Sequence, residues 1–251
     1  MQHLLPLVAV GAITGLCSGL FGIGGALIGT PLLRMVVGMA PLLSLATPLP
    51  VSIPSALSGT IAYWRRGMVE RSLTLQTLRA ALPMTLVGSV LTHWTSGTVL
   101  MVATACAVFY VAIAMLRRPP QTNNALAASN SPLRITLATG FAGFIAGFLA
   151  IGGGMVLVPV FVRWLGVPIH RALATSLVCV AALAVPGTIV HGVLGHIDWQ
   201  AAAVLAVASI PASQLGARLA LRFPSRPLEI VYGGLLVLFG VWFLVRTLVA
   251  S

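Results

Sequence analysis

Two short stretches of this chain are versions of each other. Residues 18–31 read SGLFGIGGALIGTP, and residues 146–159 read AGFLAIGGGMVLVP. Each places a glycine cluster inside a long apolar run and follows it with a proline. Glycine tolerates backbone angles that a helix does not use and lets a second backbone approach closely. Three glycines within four residues (Gly22, Gly24, Gly25), or three in a row (Gly152, Gly153, Gly154), weaken a helix wherever they fall.

The surroundings say where they fall. Only 7% of the 251 residues are charged and 59% are hydrophobic, with a mean hydropathy of +1.06. A soluble domain carries about a quarter charged residues on average. This chain cannot cover itself in water, and it reads as an all-α polytopic membrane protein. Its net charge of +11 comes entirely from arginine, mostly placed between apolar runs. That is the pattern of membrane topology signals rather than of a basic face on a soluble module, so nucleic acid is excluded as a partner. Cys17, Cys106 and Cys179 all lie within apolar runs and read as packing residues.

The duplication extends well beyond the glycines. Shifted by 128 positions, the chain aligns with itself without a gap. Gly15, Gly19, Ile23, Gly24, Gly25 and Pro31 fall on Gly143, Gly147, Ile151, Gly152, Gly153 and Pro159. Leu45-Ala46-Thr47 falls on Leu173-Ala174-Thr175, and Glu70 falls on Asp198. The expected organisation is a first transmembrane repeat over 1–116, a cytoplasmic linker over 117–134 and a second repeat over 135–251. Each repeat has four apolar segments. The last three approach the roughly 20 residues of a membrane span. The first runs to roughly 30, long for one crossing and short for two. Two short half-helices meeting near the midplane would account for it. The second would start at the glycines, with free N–H groups and a positive dipole end suited to an anion. Gly11, Gly15 and Gly19 form a separate ladder at helical spacing, expected to pack against another helix.

Arginine placement bears on orientation. If each first segment crosses once, the copies are parallel and the two sides carry 7 and 6 arginines. If each enters and returns, the copies are inverted. Arg65, Arg66, Arg71, Arg117, Arg118, Arg134, Arg163, Arg171, Arg218, Arg222 and Arg226 are then cytoplasmic, against Arg34 and Arg246 outside. The positive-inside rule favours the inverted arrangement.

Other residues carry candidate chemistry. Thr47, Thr175 and Ser176 lie inside the second segments, where a hydroxyl can bind a ligand or bond a carbonyl one turn back. Ser52 and Ser55 follow, with Pro50 and Pro54 loosening the same helix. Arg79 either snorkels to the surface or lines an anion path. His191, His196 and Asp198 resemble metal ligands. The first repeat has Tyr63, Met68 and Glu70 there, so no metal is assigned, and no cofactor. Glu70 and Asp198 are expected to pair with donors nearby.

GLFGIGGALIGTPLL and GFLAIGGGMVLVPVF, each followed by LAT at matching distance, resemble the sulfite exporter TauE/SafE family, over about residues 4 to 248. The resemblance implies a bacterial inner-membrane, multi-pass transporter of sulfite, organosulfonates or related anions, and not an enzyme. The family's motif positions here are Gly22, Gly24, Gly25 and Pro31, then Gly152, Gly153, Gly154 and Pro159. With the hydroxyls of Thr47, Thr175 and Ser176 added from their own placement in the second segments, these glycines are the expected substrate-binding set. Ala26 stands where the second motif has Gly154, so the two half-sites are not equivalent. The expected partners are a small anion and the lipid bilayer; a homo-oligomer is left open. The rival readings are carboxylate uptake, a membrane subunit that docks a partner through its arginine loops, and an intramembrane enzyme built on the two histidines.

Overall fold

The computed structural model describes residues 4–116, 131–149 and 153–249, so most of the linker and Gly152 lie outside the described residues. Every regular element among them is helical. The first half contains α1 (Leu4–Phe21), α2 (Ala26–Leu32), α3 (Pro41–Ala46), α4 (Pro48–Trp64), α5 (Arg71–Leu91) and α6 (Gly97–Leu116). The second contains α7 (Pro132–Phe148), α8 (Gly154–Pro159), α9 (Ile169–Val193), α10 (Trp199–Ala220) and α11 (Ser225–Val249). Leu4–Phe21, Pro41–Trp64, Ile169–Val193 and Trp199–Ala220 are long and apolar enough to cross a membrane. Large apolar side chains such as Leu5, Val193, Val207 and Leu238 face outward, which suits lipid and not water. The chain is a multi-pass membrane protein. Trp64, Trp94, Trp164 and Trp199 are exposed near helix ends, as interfacial anchors are.

Both first segments break at the glycines and turn back. Leu7 and Val10, early in α1, share an apolar cluster with Leu33, which lies beyond the break. Arg163 and Trp164, beyond the second break, line a cavity with Leu133, Arg134 and Leu137 at the start of α7. Each segment is therefore a hairpin. Its arms are unequal, which corrects the expectation of two short half-helices. The outgoing arms have 18 and 17 residues. The returning arms, Ala26–Val37 and Gly154–Trp164, are shorter. Each contains a proline, Pro31 or Pro159, that removes one backbone donor. A wider π-helical turn follows, at Leu33–Val37 and Val160–Trp164, as happens where a helix loses a regular bond. At 1.5 Å per residue a 12-residue returning arm is about 18 Å long. That is shorter than a hydrocarbon layer about 30 Å thick, so the returning arm does not span it.

The two halves interlock. α1 packs along α10, and α7 packs along α5; α4 and α9 pack against each other, as do α6 and α11. Small residues make the close approach possible. A methyl group on Gly11, Gly15 or Gly19 would strike α10 backbone at Leu205, Ser209 or Ser213. One on Gly143 or Gly147 would strike α5 backbone at Ala81 or Thr85. The glycine ladder is a packing surface. In addition, Thr85 Oγ1 donates to the carbonyl of Gly143 at 2.9 Å, and Tyr63 Oη donates to that of Gly19 at 3.1 Å.

The second segments differ for a local reason. Pro48, following Thr47, divides the first into α3 and α4. Ser176 occupies the matching place in the second half, and α9 runs unbroken for 25 residues.

Candidate functional site

Residues Phe21 to Pro31 are buried without interruption. Gly22 and Gly24 there have φ values of 66° and 72°, and Gly153 in the second tip has φ 84°. These angles belong to the left-handed region, which side chains resist. They end the outgoing arm and leave the first N–H groups of the returning arm without helical carbonyls.

The tips touch. A methyl on Gly154 would come within 2.5 Å of the Gly22 oxygen and of Ile23 backbone. Ser176 Oγ donates to the Gly22 carbonyl at 2.6 Å. Gly22, Gly24, Gly25, Gly153, Gly154 and Ser176 are thus brought to one place, and Gly152 lies outside the described residues. Thr47 and Thr175 are buried but engaged elsewhere. Thr47 Oγ1 accepts from the N–H of Asp198, and Thr175 Oγ1 accepts from the N–H of Glu70, each at 3.1 Å. Both oxygens keep an O–H to donate. Arg79 lies on the exposed side of α5.

The two tips have different surroundings. Around the first, Gly25 faces Ser52 and Thr14. Thr14 and Ser18 are one turn apart on α1, and Ser52 and Ser55 one turn apart on α4, so each pair shares a helix face. Thr14 Oγ1 donates back to the Gly11 carbonyl at 3.0 Å and Ser52 Oγ to that of Pro48 at 2.9 Å. The hydroxyls of Ser18 and Ser55 are fully buried with no hydrogen-bond partner. A buried hydroxyl without a partner costs about 1–3 kcal/mol. The four matching positions in the second half hold Ala142, Ala146, Val180 and Leu183, and Val180 lies against Gly24 of the first tip. Gly153 accordingly meets Leu183 and Ala146 side chains. Polar side chains thus gather on the Gly25 side of the first tip, and apolar ones face Gly153 in the second. Ser18 and Thr14 are functional candidates that motif reading passes over; the signal was available in the serine-to-alanine and threonine-to-alanine differences between the copies.

The remaining polar residues make local contacts. Glu70 forms an ion pair with Arg171. The Asp198 carboxylate accepts from the N–H of Ala201 at 3.0 Å and caps α10. His191 Nδ1 lies 3.3 Å from His196 Nδ1. His170 Nε2 lies 3.2 Å and 3.1 Å from the carbonyls of Ala220 and Phe223, at the end of α10.

Residues 7–243 match the family model described as Sulfite exporter TauE/SafE. A "Probable membrane transporter protein" of Xylella fastidiosa (strain 9a5c) is 27% identical, over 98% of this chain and 97% of that protein. "Probable membrane transporter protein YjnA" of Bacillus subtilis (strain 168) is 23% identical, over 94% of this chain and 98% of that protein. No solved structure matches the chain.

Proposed function

The chain belongs to the sulfite exporter TauE/SafE family, and on that premise we propose that it carries a small oxyanion, sulfite or an organosulfonate, out across the bacterial inner membrane. Its family and relatives are named as transporters and not as enzymes. The observation that carries the anion reading is the polar first tip. Ser52 and Thr14 face Gly25, and the hydroxyls of Ser18 and Ser55, one turn away on the same two helices, are buried without a partner. Donors without acceptors suit a ligand made of oxygens. Ser176 holds the tip in place through Gly22 rather than touching the ligand.

The two copies are inverted in this reading. A hairpin that returns to its own side leaves three crossings per copy, an odd number. The Glu70–Arg171 ion pair supports this. A single crossing by each first segment would put those two loops on opposite sides of the bilayer. The arginine split agrees. Alternating access then comes from rocking one half against the other around the touching tips. A monovalent anion leaving a negative-inside cell gains about 2.3 kcal/mol at 100 mV, so export needs no buried carboxylate relay.

Ligand-induced stabilisation tests the reading. A ligand at a hundred times its Kd raises stability by about 2.7 kcal/mol. The purified protein is melted with sulfite, sulfoacetate, taurine or sulfate in turn. One of them raises the melting temperature saturably; no shift with any of them would count against an oxyanion site.

A further inference from the structure

The ends of α4 and α10 enclose a half-open cavity of about 280 Å³. Arg65 and Arg66 reach it from just past α4, Gln214 and Arg218 from α10, and Arg222 from just past α10. All four arginines are exposed. None has a carboxylate to answer it. The chain has three acidic residues in all. Glu70 pairs with Arg171, Asp198 caps the opposite end of α10, and Glu229 acts on Arg163 and Arg226. The two helix C-termini supply about half a negative charge each, against four full positive ones.

Like charges gathered around one concavity repel, and an anion seated among them relieves that repulsion. A topology signal alone requires arginines on one side of the membrane; it does not require four of them to converge. Under the 128-residue shift the matching places hold Val193, Leu194, Val90 and Trp94, so the cluster is not a by-product of the duplication. The volume corresponds to about nine waters at 30 Å³ each, enough for an oxyanion and part of its hydration shell. Guanidinium forks match tetrahedral oxyanions through paired N–H donors.

We propose that this four-arginine cavity binds an oxyanion group of sulfite, sulfonate or phosphate type, carried either by a soluble anion or by the headgroup of an anionic lipid. Binding here is separable from transport. Loss of flux with cavity binding intact would remove the transport reading and leave this one standing.

The test is equilibrium binding to the full-length protein in neutral detergent. Sulfite, sulfate and inorganic phosphate are titrated by calorimetry. Cardiolipin is compared with phosphatidylcholine by native mass spectrometry. At least one anionic probe binds saturably, and the Arg65→Gln/Arg218→Gln pair weakens it tenfold or more. Arg34→Gln, outside the cavity, leaves binding unchanged. Loss confined to cardiolipin identifies a headgroup site; loss confined to soluble anions identifies a site for the solute. Should the double variant fail to fold, the four single arginine-to-glutamine variants are read instead, each weaker by several-fold. The proposal is overturned if no anionic probe exceeds phosphatidylcholine or the background titration, or if the folded variants bind as the unmodified protein does.

Discussion

The hydroxyl of Ser176 donates to the carbonyl of Gly22 at 2.6 Å. One partner is on α9 in the second half, the other at the break in the first. This bond occupies an oxygen that the left-handed turn at Gly22 has taken out of the helical ladder. Ser176→Ala leaves that buried oxygen without its donor. The expected cost is about 1–3 kcal/mol, read as a lower melting temperature, together with slower anion flux as the tip loses its anchor. Unchanged melting would show that the bond contributes nothing.

Ser18→Ala and Ser55→Ala separate binding from folding. Neither hydroxyl has a partner, so removing one leaves stability equal or slightly higher. Anion affinity falls at least about tenfold for each, since one hydrogen bond to a charged ligand is worth about 1.5–3 kcal/mol. The reciprocal change Ala146→Ser, at the apolar tip, does not restore affinity. A Ser18→Ala/Ser55→Ala protein that binds sulfite normally would move the site elsewhere.

The contact between the tips predicts an unequal response to the same substitution. A methyl on Gly154 meets backbone at 2.5 Å, whereas one on Gly234 meets nothing within 4 Å. Gly154→Ala forces the tips apart and costs about 3 kcal/mol, the upper part of the overpacking range. Gly234→Ala stays within about 0.5 kcal/mol. Thermal melting of the two variants side by side checks this; equal melting would mean that the tips are not in contact.

Ser72 and Gln200 are matching positions, both exposed, near the starts of α5 and α10. Inversion places them on opposite sides of the membrane. Ser72→Cys and Gln200→Cys are made in a chain whose Cys17, Cys106 and Cys179 are alanine. An impermeant thiol reagent added to intact cells labels Gln200→Cys and spares Ser72→Cys. Labelling of both from one side would rule out inversion.

The helices and the breaks were legible because apolar length and glycine clustering are local properties. The Gly11, Gly15 and Gly19 ladder could be read as packing because its spacing fits one helix face, and it does meet α10. The unequal arms were less legible. A run of about 30 apolar residues does not say where along it the chain turns; that is set by contacts of Leu7 and Val10 with residues past the break. Thr47 and Thr175 attracted attention by recurring, yet what recurs is a bond to the loop residues Asp198 and Glu70 of the other half, a relation between positions 151 and 105 residues apart. Ser18 was hidden for the opposite reason, and Ser55 was noticed only as a neighbour of Thr47. Repetition draws the eye to what the copies share, and these residues matter through what the copies do not share.

Anion flux into liposomes holding the purified protein bears most directly on the central claim. Sulfite, sulfoacetate, taurine and sulfate are offered separately under an imposed membrane potential. The account predicts saturable flux of at least one anion, faster when the potential draws the anion across and reduced about a hundredfold at low concentration by Ser18→Ala/Ser55→Ala. Flux of none of them, through protein shown to be folded, or flux indifferent to both the potential and the two serines, would contradict it.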